Sequence, residues 1–463
     1  MDSPDASYPA GLKRLVLLVT TAGSFLTPFL GSAVNIALPA IGTEFAMNAV
    51  QLSWVATAFL LAAAVFLVPF GKLADIHGQK KIFLAGMFLH LVSAILMLQV
   101  ASAGWLIAFR VIQGVGSAMI FGTSVAVLTS VYPPGERGRA LGINVAAVYT
   151  GLSSGPYLGG LLNQNFGWRS IFLASALLSA AIILLTLWKL SDEWVGARGE
   201  KFDLPGSLLY GLMLVAVMYG IMQLPSLLGA GLIGSGSLLL LVFVRWESRL
   251  ESPVLNMRLF RENRVFALSN LAALINYGAT YAVSFLLSLY LQYIQGLSPQ
   301  RAGLVLVAQP AMQAVFSPLA GRLSDRVDSR VVASTGMALI TLGLGGLAFL
   351  GAGTPLALIV PLLMLLGFGF ALFSSPNTNA VMGSVERRFY GVASATLGTM
   401  RLSGQMFSLG IAALVFAVVI GRVPITPENH PAFILSVRVA FAIFAILCFA
   451  GIFASLSRGK LRG

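Results

Sequence analysis

Apolar runs of about twenty residues recur along the whole chain, separated by mostly short polar turns. A run of that length crosses a hydrocarbon layer roughly 30 Å thick as a single helix. The pattern predicts fourteen spans, over 14–38, 51–70, 81–100, 104–130, 139–163, 169–190, 205–224, 227–246, 264–294, 301–320, 331–351, 355–382, 391–420 and 431–456. An even count places both termini on one side. The two longest connectors, about 191–204 and 247–263, bracket the seventh and eighth spans. Removing that pair leaves six spans on each side. The expected fold is an all-α polytopic membrane protein of 14 helices: a six-helix bundle over 1–190, two inserted helices with their connectors over 191–263, and a second six-helix bundle over 264–463.

The two sixes read as copies of one unit. Gly71-Lys72-Leu73-Ala74-Asp75-Ile76-His77-Gly78-Gln79-Lys80-Lys81 is a short basic hairpin between apolar runs. Gly321-Arg322-Leu323-Ser324-Asp325-Arg326 repeats it 250 residues later. The next turn on the same side repeats at the same offset, Glu136-Arg137-Gly138-Arg139 against Glu386-Arg387-Arg388-Phe389. Equal offsets at two places are the signature of an internal structural repeat.

Composition narrows the class. The chain is 57% hydrophobic and 10% charged, with mean hydropathy +0.89, which excludes a soluble domain of 463 residues. The net charge of +13 would suggest nucleic acid only if its placement were ignored. Taken alternately from the N-terminus, one set of loops holds 23 lysines and arginines and the other holds 3, namely Arg169, Arg301 and Arg422. Cytoplasmic loops carry the positive excess, so both termini are expected in the cytoplasm of a cell (inner or plasma) membrane, with lipid and not nucleic acid as the surrounding partner. Cys448 is the sole cysteine, which excludes an intrachain disulfide and a cysteine metal cluster. The first apolar run is too long for a removable signal peptide and lacks a cleavage site, so it is expected to stay as the first helix.

Four stretches carry a family likeness. They are Val34-Asn35-Ile36-Ala37-Leu38-Pro39 in the first span, Gly71 to Lys81 after the second, Arg110-Val111-Ile112-Gln113-Gly114 in the fourth, and Gly151-Leu152-Ser153-Ser154-Gly155-Pro156-Tyr157-Leu158-Gly159-Gly160 in the fifth. In this order and on these spans the chain resembles the major facilitator superfamily, and within it the fourteen-helix drug:proton antiporters. The resemblance covers nearly the whole length. It implies a transporter working by alternating access, with the fifth helix at the interface of the two halves and bending during the cycle.

Each stretch also has a physical reading. Asp75 can accept from N–H groups at a nearby helix N-terminus and pair with Arg137, a latch favouring the state closed to the cytoplasm. Asp325 can do the same in the second half with Arg387 or Arg388, although the second glycine of the hairpin has become Asp328 there. Gly151, Gly155 and Gly159 lie on one helix face and admit a close neighbour, while Pro156 permits a bend. Arg110 and Arg401 fall inside spans, where an arginine needs a partner or a cavity. For Arg401 a structural tie to helix carbonyls and a role toward substrate both remain open. Arg438, nearer a span end, is expected to snorkel to the surface.

The remaining buried polar groups gather near mid-span. They are Asn35, Gln113, Tyr149, Asn276, Tyr277, Tyr281, Gln309, Gln313, Asn377 and, with Arg401, Gln405. Tyr277, Thr280, Tyr281 and Ser284 share a face. Uncharged hydrogen-bonding groups beside aromatic rings suit an amphipathic organic substrate. The acids tell the other half: none of them lies in a span interior, and Leu30 stands where the related antiporters often carry an aspartate. Cationic cargo is therefore disfavoured against neutral or anionic compounds, and protons, if they couple, must ride on Asp75, Glu44, His90 or the substrate itself. Glu44 is the acid nearest an outer gate. His90 sits in the third span, where packing is the expected role. No clustered nucleophile, acid/base pair or phosphate-cradling Gly-Lys-Ser/Thr stretch occurs, so neither an enzyme, an ATP-driven pump nor a bound cofactor is expected.

Overall fold

A computed structural model describes residues 8–190, 192–196, 200, 202–250, 257–386 and 390–459. Among these residues there is no strand. The first eight helices are α1 (Ala10–Glu44), α2 (Ala49–His77), α3 (Gln79–Leu98), α4 (Ala103–Val131), α5 (Pro134–Phe166), α6 (Arg169–Lys189), α7 (Leu204–Gln223) and α8 (Leu227–Glu247). After a short helical turn, Met257–Glu262, come α9 (Arg264–Ile294), α10 (Pro299–Ser324), α11 (Ser329–Leu347), α12 (Leu356–Gly383), α13 (Tyr390–Val419) and α14 (His430–Ser457). Thirteen of them are long and apolar enough to cross a membrane. The other is α5, at 33 residues long enough but more polar, with Arg137, Arg139, Asn144 and Tyr149 in its first half.

Polar residues placed between the apolar runs start many of these helices. Asn48, Ser102, Asp203, Ser226, Asn263, Ser298 and Asp328 each accept a backbone N–H in the first turn of the helix that follows. Such a cap contributes about 1 kcal/mol. The loss of the second glycine in the repeated hairpin is explained here. Gly78 has φ +120°, open only to glycine, whereas Asp328 has φ −52° and caps α11 through the Arg330 N–H.

The same pairings recur in both halves. α1 packs on α5, α2 on α4, and α3 on α4 and α6; α9 packs on α13, α10 on α12, and α11 on α12 and α14. The close crossings are duplicated too. A Cβ on Gly86 would lie 2.8 Å from Gly116 O, and one on Gly336 would lie 2.5 Å from Gly369 O. α7 and α8 form a hairpin of their own. It touches the rest through α2 and α13, with the Tyr210 hydroxyl donating to Ala64 O at 3.1 Å and Gly410 against Met218. One end of the molecule carries Lys72, Arg137, Arg322 and Arg326, and is called the basic end below. The far end carries Glu44, Arg169, Arg301 and Arg422.

The halves are joined mainly toward the far end. Ser288 Oγ donates to Asn35 O at 2.6 Å, Gln292 Nε2 to Ile36 O at 3.0 Å, and the Gln300 N–H to Gln164 Oε1 at 3.4 Å. A Cβ on Gly303 would fall 2.1 Å from Pro156 O, and one on Gly160 would fall 2.4 Å from Pro299 O. Toward the basic end, α5 buries little beyond Ala140 and Asn144, while Arg137, Arg139, Ile143, Val145 and Thr150 are exposed. Between described residues of the two six-helix halves, no side-chain hydrogen bond is made on the basic side of Tyr149.

Candidate functional site

The seam between the halves collects one group of the expected residues. The Tyr149 hydroxyl near the middle of α5 lies 3.3 Å from Ser374 Oγ on α12, so a hydrogen bond crosses from one half to the other. Tyr277 on α9 lies near the same serine and meets Phe370 edge-on, ring centroids 5.2 Å apart. The Arg401 guanidinium on α13 stands 5.7 Å from the Tyr277 ring centroid and donates from Nη2 to Thr378 Oγ1 at 2.7 Å. Arg401 Nε has no partner, and Arg401, Tyr277 and Tyr149 are all half-buried. Gln405, one turn along α13, is half-buried on the same helix face. Arg401 therefore takes a side-chain hydroxyl and an aromatic face as neighbours, with donors to spare.

A second group lies around Arg110. Its side chain is 1% exposed, donates from Nε to Val55 O at 2.9 Å and from Nη1 to Gln113 Oε1 at 2.6 Å, and stacks 4.3 Å above the Phe59 ring. Tyr281 from the other half is close enough for its hydroxyl to interact electrostatically with Arg110, and that hydroxyl faces Gly31 on α1. α9 keeps helical backbone angles through Tyr281 (φ −67°, ψ −41°), and the Ala282 N–H that follows donates to Ser408 Oγ on α13 at 3.0 Å.

Other expected residues are placed differently. Asn377 is turned away from the seam. Its Nδ2 donates to Ser269 O and its Oδ1 accepts from Arg458, a buried arginine that also donates to Ser329 O at 2.7 Å. Ser374, three residues before it on α12, and Thr378, the next residue, take the inward face instead. Asn276 is fully buried with both amide atoms unpartnered. Gln313 is buried and Gln309 half-buried on α10, with Gln309 Oε1 unpartnered. Asn35 is buried on α1, and it is its backbone carbonyl that reaches the other half. His90 is fully buried 3.3 Å from Ser179 Oγ, as a packing residue would be. Arg438 is exposed and donates to Ala348 O.

The expected pair of Asp75 with Arg137 is not made. Arg137 Nε donates to Tyr132 O at 2.7 Å, at the carbonyl end of α4 where a cation is favoured. Asp75 Oδ1 accepts from Gln79 Nε2 at 3.1 Å, four residues on, and burial pushes its carboxyl above the ordinary aspartate range. The connector after α6 covers this corner, a contact absent from the sequence reading. Glu193 Oε1 accepts the Lys80 N–H at 2.8 Å, Trp194 O accepts the Gln79 N–H at 2.8 Å, and Lys72 pairs with Glu200. Asp325 lies on a described stretch of backbone, but its side chain, with Arg387 and Arg388, is outside the described residues.

The three small residues of α5 face α1 and not the other half. A Cβ would lie 2.4 Å from Phe25 O at Gly151, 1.9 Å from Ser32 Oγ at Gly155 and 2.6 Å from Ala33 Cβ at Gly159. Pro156 and Gly160, on the neighbouring stripe, make the contact across the seam.

At the far end Glu44 ties α1 to α6. It accepts from both terminal nitrogens of Arg169, at 2.9 and 2.6 Å, and from Trp168 Nε1 at 2.6 Å. The Arg169 hydrogen bonds, chiefly, hold its carboxyl below the ordinary glutamate range. The stability this contributes is complete above the unfolded-state pKa and is lost as pH falls through the lowered folded value. Both side chains are more than a third exposed, so the contribution is about 0.2–1 kcal/mol. Thermal unfolding of wild type and Glu44→Gln should therefore differ slightly at neutral pH. The two should converge as the pH drops below the usual carboxylate range.

Comparison with known proteins agrees with this architecture. Residues 20–244 and 269–460 match the Major Facilitator Superfamily. The riboflavin transporter RibZ of Clostridioides difficile (strain 630) is 30% identical over 95% of this chain and 96% of its own length. The multidrug resistance protein Stp of Mycobacterium tuberculosis is 32% identical over 87% of this chain and 76% of its own. Among solved structures, an inward-facing, unoccupied bacterial homologue of the human lysosomal transporter Spinster superposes with a TM-score of 0.71 at 16% identity, over 97% of this chain and 98% of that one. With two matching sixes and an added helical hairpin, a polar seam between the sixes and the family match over both halves, this chain belongs to the Major Facilitator Superfamily of membrane transporters.

Proposed function

We propose that this chain is a secondary transporter exporting neutral or anionic amphipathic organic compounds by alternating access. In this reading the basic end and both termini face the cytoplasm, because that end holds the great excess of lysine and arginine. The seam is closed at the far end and unbonded toward the basic end, so this conformation loads from the cytoplasm. One observation carries the cargo class: Arg401, with an unpartnered Nε, stands over the Tyr277 ring beside the Tyr149–Ser374 bridge, and no carboxylate lies in a span interior to balance it. A flat aromatic body can lie against the tyrosines while a carbonyl, carboxylate or phosphate oxygen accepts from the guanidinium.

Likeness to Stp, named for multidrug resistance, supports a broad exporter. A narrower reading, a dedicated carrier for one neutral or anionic metabolite, is favoured by likeness to RibZ, named for riboflavin, over nearly the whole of both chains. Coupling to protons is weak or non-standard in either case, since the acids sit at the helix ends. Export that stops on collapse of a pH gradient and is lost in Glu44→Gln or Asp75→Asn would refute that part.

Proteoliposome transport of matched anionic, neutral and cationic aromatic dyes tests the cargo class. Wild type should move the first two. Arg401→Gln should lose roughly tenfold or more on the anion, a hydrogen bond to a charged group being worth about 1.5–3 kcal/mol, and Arg401→Glu should turn the preference toward the cation. An unchanged anion-to-neutral ratio in Arg401→Gln would make that arginine a structural tie. Failure to move any of the dyes, or flavins, would remove the proposed function itself.

A further inference from the structure

We propose that Ser288 and Gln292 are gate-positioning residues whose hold on the far end is created by Pro39. An α-helical residue at 39 would give its N–H to Asn35 O; proline has none to give. The carbonyl so vacated is buried in the middle of the membrane protein, where an unpaired acceptor is unfavourable. It is taken by the other half: Ser288 Oγ on α9 donates to Asn35 O at 2.6 Å. Gln292, one turn on, donates from the same Nε2 to Ile36 O at 3.0 Å and to Ser288 Oγ at 3.1 Å, so the two side chains act as a linked clamp on consecutive carbonyls of α1. Ser288 is fully buried and Asn35 is 3% exposed, so no bulk water competes for these bonds.

The clamp sits where the chain is already adapted to make it. Just beyond Ser288, residues Tyr290–Ile294 form a π-helical turn, the kind of local widening that re-aims side chains at functional sites. On the α1 side, Pro39 O is in turn held by Thr43 Oγ1 at 3.0 Å. Opening the far end must part α1 from α9. It would then break the Ser288 bond and leave Asn35 O, which has no intrahelical donor, without its replacement. The proline thus converts a helix carbonyl into a bond that exists only while the far end is closed. The gate rests on the alternating-access reading above but not on any choice of cargo.

The test reads the gate directly and needs no substrate. Spin labels at Phe166→Cys and Phe349→Cys, both exposed positions near far-end helix termini in the two halves, report the separation of the halves by double electron–electron resonance in nanodiscs, in a Cys448→Ala background. Ser288→Ala and Gln292→Met should each raise the far-open population about twofold to tenfold, the effect of one net hydrogen bond. Ser288→Thr, which keeps the hydroxyl, should restore the wild-type distances. Pro39→Ala returns a donor to Asn35 O, so in that background Ser288→Ala should shift the distances much less. Unchanged distances in folded Ser288→Ala and Gln292→Met protein would overturn the proposal, as would a full Ser288→Ala shift in the Pro39→Ala background. Should the dyes and flavins fail to be transported while these distances move as stated, the cargo reading falls and the gate stands.

Discussion

Arg110→Ala should lower the stability of the protein by about 2–5 kcal/mol and abolish transport, whatever the cargo. The guanidinium is fully enclosed and makes two directed bonds, to Val55 O on α2 and to Gln113 Oε1 on its own helix, while lying flat on Phe59. Truncation leaves the Gln113 amide with neither end satisfied, since Nε2 already lacks a partner. Each buried group so orphaned costs about 1–3 kcal/mol, and a desolvated cation over an aromatic ring contributes about 2 kcal/mol more. Val55 O still has its intrahelical donor, which keeps the total toward the middle of that range. Arg110→Lys keeps the charge but not the planar fork, and one ammonium on a shorter stem cannot serve both acceptors and the ring. It should fall between wild type and alanine. Thermal unfolding in nanodiscs checks the order. Arg401→Ala is the control: that side chain is half-buried with a single hydrogen bond, so its loss should be smaller for stability than for cargo choice. An Arg110→Ala protein with wild-type Tm would show that the tie to α2 contributes little.

The contrast between those two arginines marks how far the sequence could be read. Both announced themselves as charges inside apolar runs, and the cost of leaving them unpaired said that each had a partner or a cavity. Which of the two alternatives held was decided by residues far away in the chain. Val55 and Phe59 precede Arg110 by half a hundred positions, and Tyr277 precedes Arg401 by more than a hundred. The spans and the two sixes were legible because both depend on short-range signals, apolar run length and the spacing of basic hairpins. The recurrence of the helix pairings in both halves is what the 250-residue offset implied. Site membership was less legible because it depends on rotation about the helix axis. On α12 the polar string Ser374-Ser375-Pro376-Asn377-Thr378-Asn379 was present to be read. Ser374 lies four residues from Thr378 and three from Asn377, and both spacings are compatible with a shared face, so spacing alone did not separate them; Ser269 O and Arg458, far away in the chain, hold Asn377 aside. Arg458 and Glu193 escaped for another reason. Each follows the last helix of its six, where a charge reads as a solvated loop residue. Instead each closes the basic end of its bundle, Arg458 on the Ser329 carbonyl and Glu193 on the Lys80 N–H.

Gly155→Val should be severely damaging, and the reason separates packing within a half from packing between halves. At Gly155 a Cβ would stand 1.9 Å from Ser32 Oγ and 2.7 Å from Phe29 O, so a backbone carbonyl on α1, and not a movable side-chain tip, blocks it. Ser32 Oγ cannot swing away freely either, being bonded to Pro28 O at 2.8 Å and Phe29 O at 3.1 Å. Overpacking of this kind costs about 1–3 kcal/mol where the surroundings can yield, and more where they cannot. Here α1 and α5 would have to separate along the Gly151–Gly155–Gly159 stripe, and little folded protein should be recovered by size-exclusion chromatography. Gly142→Ala, on the same helix with nothing within 4 Å of its Cβ, should instead be neutral or stabilise by up to about 1 kcal/mol through helix propensity. Gly303→Ala supplies the third case. Its Cβ would meet Pro156 O at 2.1 Å, but across the seam. Each half can still fold; what is lost is the closed far end. That variant should therefore elute as a monodisperse protein with the far-open state enriched and transport impaired. Equal stability of Gly155→Val and Gly142→Ala would mean that the stripe does not govern the α1–α5 approach. A misfolded Gly303→Ala would mean that the two halves do not move as separate bodies.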